Sequence, residues 1–168
     1  MTKLSILQIL HDTTVDGPGF RTSIYASGCA HRCASCHNPQ SWDESHGELC
    51  TIDEILTAIK EAEFAQVTFS GGDPLYQVEG FTALARRIKE ETDKNVWCYT
   101  GYAFEQVLQS ERLAQILPFI DVLVDGRYEA EHHSIDLPFR GSSNQRIIDV
   151  VQSLNREEPV WVAEYQFR

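Results

Sequence analysis

The chain has 168 residues, 42% of them hydrophobic and 23% charged, enough to bury a core and too apolar for a disordered segment. Its 14 Lys and Arg stand against 25 Asp and Glu, a net charge of −11. That balance argues against a nucleic-acid binder, whose affinity rests on basic side chains, and against a polybasic membrane module.

Met1 to Leu10 holds one Lys and a short apolar stretch from Leu4 to Leu10, interrupted by Gln8 and followed by His11 and Asp12. It has no small-residue cleavage site and does not read as a signal peptide. No apolar run approaches the roughly 20 residues of a membrane-spanning helix. A cytoplasmic chain is therefore expected. Arg21 to Ser27 reads as a strand running into Gly28. Thr51-Ile52-Asp53-Glu54 is a capping-box pattern, and Ile52, Ile55, Leu56 and Ile59 behind it fall on one helical face. Ala65 to Ser70 is a short strand ending in Gly71-Gly72-Asp73-Pro74. Phe81, Leu84, Ala85 and Ile88 mark a second helix, and Asn95 to Thr100 a strand stopped by Gly101. A third helix is predicted over Phe104 to Leu117, then an apolar strand from Ile120 to Val124 ending in Asp125-Gly126. Asn144 is expected to cap a last helix carrying Ile147, Ile148, Val151 and Leu154, and Pro159 to Phe167 to form a closing strand.

Strands alternate with helices, and several strands are apolar runs. This predicts an α/β fold with a mostly parallel sheet and helices outside it. Glycine-rich and polar tails follow the strands at Gly28, Gly71-Gly72, Thr100-Gly101 and Asp125-Gly126, so one active face is expected at the strands' C-terminal ends. The strands are too few for an eight-fold barrel, so an open or partial β/α barrel is expected. No repeat or Pro/Ser-rich linker divides residues 1–168, which read as a single domain.

Five cysteines are an odd number for a disulfide framework. Cys29, Cys33 and Cys36 are spaced C-x3-C-x2-C in a loop of small residues just after the first predicted strand. Thiolates suit soft metals. Three readings are open: unconnected buried cysteines, a zinc site completed by His31 or His37, or a [4Fe–4S] cluster held by three thiolates with one iron open to a ligand. Cys50 and Cys98 lack partner spacing and read as packing residues. The adjacent His132 and His133 carry no assignment.

This loop, with a glycine pair after the next strand, resembles the radical S-adenosylmethionine superfamily. The resemblance implies Cys29, Cys33 and Cys36 as the cluster ligands and S-adenosylmethionine chelated at the open iron. One electron then cleaves the sulfonium to a 5′-deoxyadenosyl radical. Ser70, Gly71, Gly72 and Asp73 resemble the glycine-rich strand end that holds the methionine ammonium through backbone carbonyls and an acidic side chain. Many members have an aromatic residue just before the third cysteine, beside the adenine; here it is Ser35. Asp16-Gly17-Pro18-Gly19-Phe20-Arg21-Thr22 and Cys36-His37-Asn38-Pro39 resemble segments of glycyl-radical-enzyme activases. There the resemblance extends the cofactor-binding set to Ser35, His37, Asp125 and Arg127. Phe139 to Arg146 resembles the C-terminal signature of the activating proteins of anaerobic ribonucleotide reductase. What this implies is an oxidoreductase that abstracts a glycine hydrogen from the large reductase subunit, supplied with electrons by a flavodoxin or ferredoxin. The alternatives are the activase of another glycyl radical enzyme, such as pyruvate formate-lyase, and a non-catalytic zinc-binding adaptor.

Overall fold

The structure, a computed structural model, describes residues 1–166. It has seven strands: β1 (Lys3–Thr13), β2 (Arg21–Ala26), β3 (Glu48–Thr51), β4 (Gln66–Gly71), β5 (Val96–Tyr99), β6 (Val122–Asp125) and β7 (Arg146–Asp149). Five helices accompany them: α1 (Ile52–Glu61), α2 (Val78–Glu91), α3 (Phe104–Gln109), α4 (Glu111–Ala114) and α5 (Val150–Arg156). The strands form one sheet in the order β3-β1-β2-β4-β5-β6-β7. Its central block β2-β4-β5-β6 is parallel; β1 and β3 on one side and β7 on the other run antiparallel to their neighbours. The fold is α/β, and the sheet is open, ending at β3 and β7.

Alternation along the strands divides two faces. Ile24 and Ala26, Val67 and Phe69, Val96 and Cys98, and Leu123 join one large core with α1, α2, α3 and α5. Phe81 of α2 meets Phe69 ring to ring at 5.0 Å. Phe81, Leu84 and Ile88 are fully buried there, each contributing roughly 1.5–3 kcal/mol. On the other face Trp97, Val122, Val124 and Ile147 pack with Tyr165, Phe139 and Trp161, which come from loops. That second face also carries Arg21, which is fully buried. Arg21 Nε donates to Thr68 Oγ1 at 2.6 Å, and Nη2 donates to Val67 O at 2.7 Å and Asn95 Oδ1 at 2.6 Å. Nη1 reaches Pro18 O at 3.1 Å, and the guanidinium lies 5.5 Å from the Trp97 ring centre. Burial lowers its pKa to about 10.

The predicted capping box starts α1: Thr51 Oγ1 accepts from Glu54 N at 3.1 Å, and Thr51 N donates to Glu54 Oε2 at 2.8 Å. The stretch from Leu4 to Leu10, given no element from the sequence, belongs to β1, whose Leu4 and Ile6 enter the core. Three expectations need correction. The helix predicted over Phe104 to Leu117 breaks at Ser110, which is extended and caps α4 by accepting from Leu113 N. Ile147 and Ile148 lie in β7, their side chains in the two opposite cores; the helix begins only at Val150, capped by Asp149. The closing strand shrinks to a bridge between Trp161 and Ile148 and a 3-10 turn at Ala163–Tyr165; its predicted end, Phe167, lies outside the described residues. Among the described residues, no helix is long and apolar enough to cross a membrane.

Candidate functional site

The parallel pairing of β2 with β4 runs in register from Arg21 opposite Gln66 to Ala26 opposite Gly71. Two loops therefore leave the sheet side by side: the cysteine loop after β2 and the glycine turn after β4. Gly72 N donates to Ala26 O at 2.8 Å and Asp73 N to Gly28 O at 2.9 Å. The contact is backbone on backbone. Gly71 adopts φ +100°, and a Cβ on Gly72 would stand 2.5 Å from Gly28 O. No other residue type fits this pair without moving the cysteine loop.

The cysteine loop has no regular structure and is held by the segment behind it. Gly28 N donates to Ser41 O at 2.6 Å and Cys29 N to Trp42 O at 3.2 Å. Arg32 and Ser35 sit at φ +49° and +58°, a conformation costing a non-glycine residue roughly 1–2 kcal/mol. Asn38 N donates to Cys36 Sγ at 3.4 Å, and burial raises the Cys29 thiol pKa.

Above the strand ends lies a cavity of about 340 Å³. Cys29, Cys33, Cys36 and His37 line one side, and Ser70, Gly71, Gly72 and Asp73 the floor. Tyr25, Tyr99, Tyr128 and Asp16 complete the wall. Asp16 Oδ2 accepts from Ser23 Oγ at 3.0 Å and from the Tyr25 hydroxyl. Burial, then this hydrogen bond, push the Tyr25 pKa up to about 12. The His37 ring stands 4.9 Å from Tyr128 and 5.6 Å from His133. The Asp73 carboxylate is a junction. Its Oδ1 accepts from Leu75 N at 2.8 Å; its Oδ2 accepts from His31 Nε2 at 2.8 Å and from Thr100 Oγ1 and Gly101 N, each at 2.9 Å.

The remaining expected residues lie elsewhere. Ser35 is exposed and outside the cavity lining. Asp125 is buried and points to α3: it accepts from Phe104 N at 2.7 Å and pairs with Arg146 Nη2 at 2.6 Å. Arg127 lines an adjoining cavity of about 470 Å³ with Asp125, and its Nη2 donates to His31 O at 2.8 Å. Asn144, expected as a helix cap, instead donates to Arg127 O at 2.8 Å. Cys98 is fully buried in the core, its thiol pKa driven well up by burial, and Cys50 lies on β3. Neither lines the cavity. Asp16, Tyr25 and Gln145 also line the cavity without having been expected there individually; Asp16 and Gln145 fall in two of the segments that resemble the activases, and Tyr25 lies within β2 on the face opposite the helical core.

Cys29, Cys33 and Cys36 line one cavity and are all free thiols, the donor type that an iron–sulfur cluster takes. Among the described residues, the group of His, Cys, Asp or Glu whose ligand atoms already lie within 4.8 Å of one another is Glu129, Glu131 and His132, outside the lining of this cavity.

Residues 15–148 match the family model described as a 4Fe–4S single cluster domain, which is the class to which this chain belongs. Curated relatives narrow it. An anaerobic ribonucleoside-triphosphate reductase-activating protein of Haemophilus influenzae is 36% identical over 152 residues, covering 86% of this chain and 97% of the relative. The proteins of that name from Vibrio cholerae (37% over 141 residues, 79% and 90%) and Pasteurella multocida (34% over 159 residues, 89% and 99%) are similar to it to the same degree. The family formed by these reductase-activating proteins includes the present chain.

Proposed function

We propose that this chain activates an anaerobic ribonucleotide reductase by forming a glycyl radical on its large subunit, as a radical S-adenosylmethionine oxidoreductase. The observation that carries the reading is the convergence of three cysteines and a glycine turn on one cavity at the C-terminal ends of parallel strands. On this reading residues 1–168 are one domain, a partial β/α barrel whose inner face is the one carrying Arg21 and Trp97. Cys29, Cys33 and Cys36 would hold a [4Fe–4S] cluster. The backbone of Ser70, Gly71 and Gly72 would cradle the ammonium of S-adenosylmethionine, with the Asp73 carboxylate behind it supplying negative charge. His37 would flank the cluster, Ser35 would meet the adenine through backbone alone, and Asp125 and Arg127 would border the nucleoside. The chemistry these two groups supply when bound is one-electron cleavage of the sulfonium and removal of a hydrogen atom from a glycine. The chain's own work is to position them and to exclude water, which the aromatic wall of Tyr25, Tyr99 and Tyr128 serves. A flavodoxin or ferredoxin in the cytoplasm would supply the electron.

Iron analysis of anaerobically reconstituted protein should give about four irons per chain. Serine at position 29, 33 or 36 should abolish them, and serine at 50 or 98 should not. Mixing with S-adenosylmethionine, a reductant and the reductase should produce a glycyl radical by electron paramagnetic resonance. A radical on pyruvate formate-lyase but none on the reductase, or one zinc and no cleavage, refutes the reading.

A further inference from the structure

We propose that His31 is a positioning residue for the cysteine loop, the point at which the stretch between Cys29 and Cys36 is fastened to the strand ends that form the cavity floor. The proposal rests on the function just given for what the loop positions, but its geometry stands independently. His31 is tied to three strand ends. Its Nε2 reaches Asp73 Oδ2, beyond β4, at 2.8 Å. Its ring lies edge-on to Tyr102, beyond β5, with centroids 4.4 Å apart. Its carbonyl accepts from Arg127 Nη2, beyond β6, at 2.8 Å.

These ties are built rather than incidental. The two side chains are 9% and 2% exposed, so the hydrogen bond is shielded from water. Asp73 Oδ2 already accepts from Thr100 Oγ1 and Gly101 N, and the ring nitrogen joins them as a third donor. Gly101 makes the space: a Cβ there would stand 2.5 Å from His31 Cδ2. Gly101 N and the ring donate to the same Asp73 oxygen, so the glycine turn, the end of β5 and the cysteine loop share one acceptor atom. The loop needs such a fastening. Between the Gly28 O–Asp73 N bond at its start and the His37–Tyr128 contact at its end, the loop otherwise leans on the segment behind: Cys29 N donates to Trp42 O, and the Arg32 guanidinium lies 5.6 Å from the Trp42 ring centre. Without His31 the left-handed conformations at Arg32 and Ser35 have less to hold them. The Cys33 and Cys36 thiols would then lose their fixed distance from the floor.

Three variants separate the hydrogen bond from the packing. His31→Ala removes both, His31→Phe keeps a ring against Tyr102, and His31→Gln keeps an amide donor. Amide hydrogen exchange of the iron-free chain is read over residues 29–38. In the reconstituted enzyme, KM for S-adenosylmethionine and kcat are read separately. His31→Ala and His31→Phe should exchange about tenfold faster over 29–38, with α1 and α2 unchanged. In the enzyme they should raise KM about tenfold with a smaller change in kcat at unchanged iron content, and His31→Gln should restore both within about threefold. Wild-type exchange and KM in His31→Phe overturn the hydrogen bond as the fastening. Parallel losses of stability throughout the chain with no local change over 29–38, or no recovery in His31→Gln, overturn the positioning role. His31→Phe and His31→Gln decide the matter should His31→Ala fail to fold. If the unsubstituted protein does not cleave S-adenosylmethionine, the proposed function fails while the exchange result still decides the fastening.

Discussion

Arg21→Met should lower stability by about 3 kcal/mol. The methionine fills the space of the arginine stem but withdraws donors from Thr68 Oγ1, Val67 O, Asn95 Oδ1 and Pro18 O. Thr68 keeps a partner, because its hydroxyl donates to Asp16 O at 2.8 Å. Val67 O keeps its place in the β4–β5 ladder and Asn95 is half-buried, so the withdrawn hydrogen bonds cost roughly 0.5–1.5 kcal/mol each. Loss of the cation over Trp97 adds roughly 0.5–2 kcal/mol. Against this, the variant no longer holds a charge away from water, the burial that lowers the Arg21 pKa to about 10. The balance, about 3 kcal/mol, corresponds to a fall in Tm of about 6–12 °C for a chain of this size. Arg21→Lys keeps the charge but reaches one branch of the fork, and should recover about half. Thermal unfolding of the iron-free protein by circular dichroism measures both. A Tm within about 2 °C of wild type for Arg21→Met would show that the network is not what joins β2, β4 and the start of β5.

Two further outcomes follow from the cavity wall and floor. The Tyr25 pKa is raised to about 12, so the unfolded chain loses this proton first; its contribution is complete below pH 10 and is lost as pH rises through about 12. Urea midpoints between pH 9 and 11.5 should therefore fall less steeply in Tyr25→Phe than in wild type. Arg21, depressed to about 10, acts in the opposite direction in both proteins, and an identical fall in the two would contradict the Tyr25–Asp16 bond. Gly72→Ala should fold while weakening S-adenosylmethionine binding by at least about tenfold, because the new Cβ meets Gly28 O at 2.5 Å and Ser41 O at 2.8 Å. Calorimetric titration under anaerobic conditions measures this, and wild-type affinity would place the cofactor elsewhere.

What could be read from the chain depended on how local each determinant is. Thr51 and Glu54 are three residues apart, and their capping box was evident without a structure. The order of strands and helices followed from apolar runs. β7 was misread because Ile147, Ile148, Val151 and Leu154 also satisfy a helical spacing; its pairing with β6, some twenty residues earlier, overrides that pattern. His31 drew notice only as a metal ligand, since its carboxylate partner is 42 residues away and its arginine partner 96. Asp125 is similar: the local sequence marks it as a strand-end carboxylate, and its partners Arg146 and the first amide of α3 lie about twenty residues away on either side.

The in-register pairing of β2 with β4 has a consequence for any redesign of this site. Both strands are six residues long and end level, at Ala26 and Gly71. One residue added to either strand would either slide its loop past the other by about 3.3 Å or, with the loop held in place, swap the side chains before the insertion between the two faces. In the first case the three sulfurs would be shifted from the glycine turn by more than a bond length; in the second, an insertion in β2 would drive Arg21 into the helical core. The helices between these strands, by contrast, can lengthen or shorten without touching that measure. The site is thus gauged by strand residues, and a transplant of its loops would have to carry the two strands with them.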